Sequence, residues 1–312
     1  MWLTWLTLIL PPLLLYGCAR PVSRPFAAQA PRGIPADAFG LNHVITWGDG
    51  SLPDSTWTEK FRLAEQAGCR WVRVDACNLD EAYHGRWQRY ERFLRLMPAS
   101  MTALPIINLA PLSGPNEVSA VTARAFFNFV QRFRPEAVQI GNEPNNTPAL
   151  PPELYARIVI AAATGIHVAM PQCRAVWGGL GSRPGLPWTP QDYLRRFHAI
   201  AGAADAYDIM AVHPYDKGLP FVQMAASFAP NKPLWITEDG YRRKDAWGPW
   251  EERRQADALR GSYAVYIDGG YADKLFWYAL QSRGDERYNM LLGKPGAWRM
   301  TESYRAFQES AP

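Results

Sequence analysis

From residue 39 onward, short apolar runs alternate with longer amphipathic ones. The short runs span residues 39–46, 71–74, 104–109, 137–140, 175–179, 208–212, 234–237 and 275–278. Each is rich in Val, Ile, Leu or aromatic residues and is followed by polar or Gly/Pro residues, which predicts strands of a buried parallel sheet. Helices are predicted between them at 56–67, 87–96, 120–133, 152–168, 190–201, 220–228, 250–266 and 301–308. The first three carry apolar stripes through Phe61, Leu63 and Ala64, through Tyr90, Phe93 and Leu94, and through Val121, Ala125, Phe129 and Phe133. Several start on Pro or an acidic residue, as helix first turns prefer. Eight strands alternating with eight helices in one chain of this length predict an α/β fold, a single (β/α)8 TIM barrel over 36–312. An open nucleotide-binding sheet would carry a glycine-rich phosphate loop after its first strand. Trp47-Gly48-Asp49-Gly50 follows instead and matches neither common form of that loop.

The first 18 residues read as an export signal. Their apolar stretch is short for a membrane span of about 20 residues, and Pro11-Pro12 interrupts it. It ends in Leu15-Tyr16-Gly17-Cys18, which resembles the bacterial lipobox and implies lipidation of Cys18. No basic residue precedes the run and Tyr16 is bulky, so ordinary secretion and an uncleaved anchor stay open beside it. Residues 19–35, with Pro21, Pro25, Pro31 and Pro35, read as a tether. The chain is therefore expected outside a bacterial cytoplasm, periplasmic or at the cell surface, touching a membrane only through its N-terminus.

Composition narrows the chemistry. The chain has 33 basic and 29 acidic residues, a formal charge of +4, with no basic run, which argues against nucleic acid as a partner. It has five His and neither HxH nor HExxH, so no catalytic zinc is expected, and no cofactor motif is present. No GxSxG elbow occurs, which weakens a serine-hydrolase reading. Cys69, Cys77 and Cys173 are an odd set beyond Cys18, expected as buried free thiols. Aromatic residues make up 13% of the chain, with 13 Trp; they fill a large core, or some of them are platforms for sugar faces.

Active sites of such barrels lie at the C-terminal ends of the strands. The fourth run continues as Gly141-Asn142-Glu143-Pro144 and the seventh as Thr237-Glu238-Asp239-Gly240, so a Glu directly follows each strand. Two carboxylates facing across a barrel mouth suit glycoside hydrolysis, in which one protonates the leaving oxygen and the other attacks the anomeric carbon or activates water. Arg73 and Asp75 lie on the second strand, Asn42 and His43 on the first, His213 and Tyr215 after the sixth, Trp177 on the fifth and Trp277 on the eighth. Trp247 and Trp250 are candidate outer platforms, and Asn145-Asn146-Thr147, although a glycosylation pattern, reads as pocket lining.

Gly-Asn-Glu-Pro after strand four and a Glu ending strand seven resemble the clan A glycoside hydrolases, over about 39–307, and within the clan the family 39-like and exopolysaccharide-degrading enzymes. The resemblance implies a retaining mechanism with Glu143 as acid/base and Glu238 as nucleophile. It implies Arg73 supporting Glu238, Asn142 on the sugar 2-hydroxyl, His213 and Tyr215 beside the nucleophile, and Trp277 under the reactive sugar. Arg73 should lower the pKa of Glu238, and burial should raise that of Glu143. The expected partner is a β-linked poly- or oligosaccharide, cleaved by a monomer without cofactor or metal. The competing reading is a non-catalytic carbohydrate-binding or polysaccharide-assembly lipoprotein on the same barrel.

Overall fold

The computed structural model describes residues 34–311 apart from 110–114, 184, 186, 245–248 and 283–284. The export signal, Cys18, most of the tether and Trp247 therefore lie outside the described residues.

Nine parallel strands carry the fold: β1 (Phe39–Asn42), β2 (Trp71–Asn78), β3 (Thr102–Asn108), β4 (Ala137–Ile140), β5 (Arg174–Val176), β6 (Leu180–Gly181), β7 (Met210–His213), β8 (Leu234–Asp239) and β9 (Lys274–Trp277). Their order is β5-β4-β3-β2-β1-β9-β8-β7-β6. β5 and β6 are two halves of one stave, and a parallel bridge from Val176 to Ile209 ties β5 to the start of β7. The sheet thus closes into an eight-staved barrel. The fifth stave breaks at Gly178 and Gly179. A Cβ on Gly178 would stand 2.6 Å from the Ile140 carbonyl, and one on Gly179 would stand 2.3 Å from His213 Nε2. The break leaves room for the groups converging on the barrel mouth.

The strand pleat sorts side chains by a period of two. Trp71, Leu104, Ala137, Val176, Ile209, Ala211, Trp235 and Phe276, from seven staves, form one apolar cluster inside the barrel. On β1 only Gly40 fits, because the Phe276 ring lies 2.5 Å from where its Cβ would be. Lys274 and Arg174 stack on Trp71 and Trp235 at the lower end. One pleat higher the interior becomes polar, with Asn42, Arg73, Gln139, His213 and Thr237, all buried. The interior is a plug of rings below and a floor of hydrogen-bonding groups above.

Outside the barrel run α1 (Asp54–Gln66), α2 (Leu79–His84), α3 (Gln88–Leu96), α4 (Pro115–Phe133), α5 (Pro152–Ala169), α6 (Pro190–His198), α7 (Ala203–Ala206), α8 (Gly218–Phe228), α9 (Pro249–Ser262) and α10 (Glu302–Ser310). α9 continues into a π-helical turn, Tyr263–Asp268. The eight predicted helices are all present. α2, α7 and an antiparallel hairpin of β10 (Leu291–Lys294) and β11 (Ala297–Met300) were not anticipated. α2 is only six residues long, set by a capping box between Asn78 and Glu81 and ended by left-handed Gly85. Cys69, Cys77 and Cys173 are buried free thiols, as expected.

Candidate active site

β4 ends at Gly141, whose φ of 72° turns the chain out of the stave. Glu143 follows in the left-handed region at φ 42°, ψ 59°. Its amide donates to the Gly178 carbonyl, 2.8 Å, and its carbonyl accepts from Asn146, 2.9 Å. His43 and Tyr215 also have positive φ, at 50° and 41°. Three of the four non-glycine residues in this region among the described residues thus ring the barrel mouth, where such strain typically serves a site.

Glu238, at the end of β8, is held from two sides. Arg73 Nη1 donates to its Oε1 at 2.7 Å, and the Tyr215 hydroxyl donates to its Oε2 at 2.6 Å. Arg73 is itself fixed by Gln139 (2.8 Å), Asn42 (2.8 Å) and Asn142 (2.5 Å). Asn42 in turn donates to the carbonyls of Thr237 and Phe276. Burial alone would raise the pKa of Glu238. The charges of His213 and Arg73 and the Tyr215 hydrogen bond outweigh it and bring the carboxyl to about 2. Tyr215 moves the opposite way, its hydroxyl pushed well above its ordinary value by burial and by Glu238.

Glu143 faces Glu238 across His213. Nδ1 of His213 lies 3.0 Å from Glu143 Oε1 and 3.6 Å from Glu238 Oε2, and Nε2 lies 3.0 Å from the Thr237 hydroxyl. Asn146 donates to Glu143 Oε2 at 3.1 Å, so part of the Asn-Asn-Thr string does reach the pocket. The pKa of Glu143 departs from the sequence expectation. Burial raises it, but the hydrogen bond and charge of His213 more than reverse that and hold the group below the ordinary carboxylate range in the free protein. An imidazole between the two acids was not weighed in that expectation.

One ligand atom from each of Glu143, His213 and Glu238 lies within 4.8 Å of the others, close enough for a metal. Arg73 and Tyr215 already occupy both oxygens of Glu238, and the guanidinium puts a fixed positive charge at one of them. That donor set suits protons and a carbocationic centre better than a divalent ion.

Asn142 is exposed to the mouth, and Asp75, half-buried, accepts from Asn108 at 2.8 Å. His43 stands over Tyr278, ring centroids 4.6 Å apart, with its pKa lowered by burial. Two expected platforms are not brought to the site. Trp277 is buried in the large core cluster that includes the helices, as is Trp177, which packs on Tyr155, Tyr193 and Phe197. Val176 and Phe276 point inward, so their successors Trp177 and Trp277 point outward. The aromatic groups at the mouth are instead Tyr278, Tyr215 and Tyr288, within 6.4 Å of one another. Tyr278 follows inward-facing Phe276 by two residues, a period that could have identified it. Trp250 is exposed on α9, against Arg253 and Arg254. Arg183, beyond β6, faces Glu143 and was not anticipated.

No family model matches the sequence, nor does any curated protein. The fold has clear likenesses among solved structures. A glucosidase from Croceicoccus marinus superposes with a TM-score of 0.62 at 13% identity, covering 91% of this chain and 69% of that one. A GH39 β-xylosidase from Caulobacter crescentus gives 0.61 at 15%, covering 90% and 72%. A GH128 (subgroup II) endo-β-1,3-glucanase from Pseudomonas viridiflava gives 0.58 at 16%, covering 87% and 96%. At these identities the likeness establishes the (β/α)8 barrel.

Proposed function

We propose that this protein is a retaining glycoside hydrolase that cleaves a β-linked poly- or oligosaccharide by double displacement, with Glu143 as acid/base and Glu238 as nucleophile. The observation that carries it is the pairing itself. Glu143 and Glu238 end the fourth and seventh staves with carboxylate oxygens within 4.8 Å, and Glu238 alone is bound by both Arg73 and Tyr215, as a nucleophilic carboxylate requires. Retaining enzymes hold their carboxyl groups about 5–5.5 Å apart, whereas inverting ones need about 6.5–9.5 Å for a water. Likeness in fold to a glucosidase, a xylosidase and an endoglucanase supports the same reading.

In the first step Glu238 attacks the anomeric carbon as the bond to the leaving oxygen breaks, and Glu143 gives that oxygen its proton. Glu238 becomes an ester and loses its charge. In the second step Glu143 takes a proton from water, the water oxygen bonds to the anomeric carbon, and Glu238 leaves as carboxylate. Because His213 holds Glu143 ionised in the free protein, the proton enters Glu143 as substrate excludes water from the site. Asn142, fixed by Arg73, is positioned for the sugar 2-hydroxyl. We place the enzyme outside the cytoplasm, tethered through a lipid on Cys18; mass spectrometry of the mature N-terminus tests this.

The test of the mechanism is product stereochemistry. Nuclear magnetic resonance of the first product should show retained anomeric configuration. Glu238→Gln should fold normally and cleave nothing. Inverted product removes double displacement, and β-glycoside cleavage by Glu238→Gln removes the nucleophile assignment.

A further inference from the structure

The cleft beyond Glu143 is lined by cations. Arg183 stands two residues past the end of β6, and Lys217 ends the single turn that follows β7. A cavity of about 190 Å³ opens between them, walled by Tyr215, Asp216, Tyr288 and Ser182. It runs into a groove of about 680 Å³ that shares Ser182, Arg183 and Lys217 and adds Trp188. Both cationic side chains are exposed, and neither forms an ion pair among the described residues. Arg242, by contrast, is ion-paired with Asp285 at 2.6 Å, a carboxylate it shares with Arg287. Among the described residues lining this cavity, Asp216 is the carboxylate beside the two cations.

Glu143 is the strongest charged neighbour of Arg183, ahead of Glu238. If Glu143 protonates the leaving oxygen, the space past it holds the leaving sugar. A neutral sugar is ordinarily held by hydroxyl acceptors and aromatic faces. An unpaired guanidinium instead offers a planar fork that matches a carboxylate. From this geometry we propose that the leaving-group side of the cleft binds a hexuronate, making the substrate a β-linked polysaccharide that carries carboxylates, with Arg183 as the principal contact and Lys217 as the second. This rests on the glycosidase reading above for which side is which.

Matched polymers test it: curdlan and cellulose fragments, each against its C6-oxidised form, which differs only in the carboxylate. Both cleavage by the intact protein and equilibrium binding are measured. Where the protein cleaves, kcat/KM for the oxidised member should exceed that for the neutral one by about tenfold or more at low salt, shrinking as salt rises. Arg183→Gln should reduce that ratio about tenfold, and Lys217→Gln by less. Cleavage with a ratio near one, or a ratio that survives Arg183→Gln, overturns the hexuronate and leaves the glycosidase standing. Preference for a sulfated backbone over the carboxylated one also overturns it. Binding of oxidised fragments that depends on Arg183, with no cleavage of any polymer, keeps the anionic site and removes the glycosidase. Neither binding nor cleavage removes both.

Discussion

The Nδ1 nitrogen of His213 lies 3.0 Å from Oε1 of Glu143, so the proposed acid rests against an imidazole. Burial works to raise Glu143, and the hydrogen bond and charge of His213 overcome it. A general acid must be protonated, so kcat/KM should fall as pH rises through the lowered pKa of Glu143, and activity should favour acid pH. His213→Ala removes what lowers that pKa, and the descending limb should move to higher pH even as the rate drops. A pH–rate profile of the two proteins checks this; a limb that stays put or moves down would refute the role given to His213.

Arg73 makes four side-chain hydrogen bonds, to Glu238, Gln139, Asn42 and Asn142, from a position that is 3% exposed. A lysine keeps the charge but not the fork, so it cannot hold all four partners. Arg73→Lys should raise the pKa of Glu238 and lower kcat about a hundredfold through misplacement of the nucleophile. Arg73→Met removes the guanidinium from a buried ion pair, leaving Glu238 only Tyr215 and His213, and should cost about 3 kcal/mol of stability in urea denaturation. Near-native kcat in the lysine variant would show that the other three partners do not depend on the fork.

The barrel was legible because its repeat is regular: each apolar run ended in polar residues, and the two Glu residues fell at strand ends in a fixed order. Arg73 could be read the same way, two residues beyond Trp71 on an inward-facing row. What failed was phase. At 276–277 and 176–177 both neighbours are large and apolar, so nothing in the sequence says which faces the barrel axis. The β10–β11 hairpin was invisible for a related reason, since three of the four β11 residues are exposed and the fourth is half-buried, leaving no apolar alternation. Arg183 carries no local pattern; its meaning comes only from the fold that sets it opposite Glu143.

That phase difference separates two neighbouring rings. Trp277 is buried among core side chains, and Trp277→Ala should cost about 3–5 kcal/mol. Tyr278 is half-buried at the mouth, with its ring near His43 and Tyr288. Tyr278→Ala should raise KM or lower kcat while keeping most of the stability. Melting curves and steady-state kinetics on both variants check the pair, and the reverse pattern would put the platform back on Trp277.

Asp239, next to Glu238, gives the protein a pH-dependent stability independent of catalysis. Its carboxyl is buried and accepts from the Ser262 hydroxyl at 2.6 Å. Burial pushes its pKa up to about 7; hydrogen bonds from Ser262 and the backbone only partly offset this, and Asp216 adds to it. An unfolded Asp titrates near about 3.9. Between these values the folded protein binds a proton that the unfolded chain has released, so stability should fall as pH rises from about 4 to about 7 and then level off. Asp239→Asn removes this titration. Urea midpoints at pH 5 and pH 8 should therefore differ more in the wild type than in the variant, with the wild type relatively favoured at pH 5. Equal differences in the two proteins would mean that Asp239 is ionised in the fold at both pH values, held by the Ser262 hydroxyl and its backbone donors.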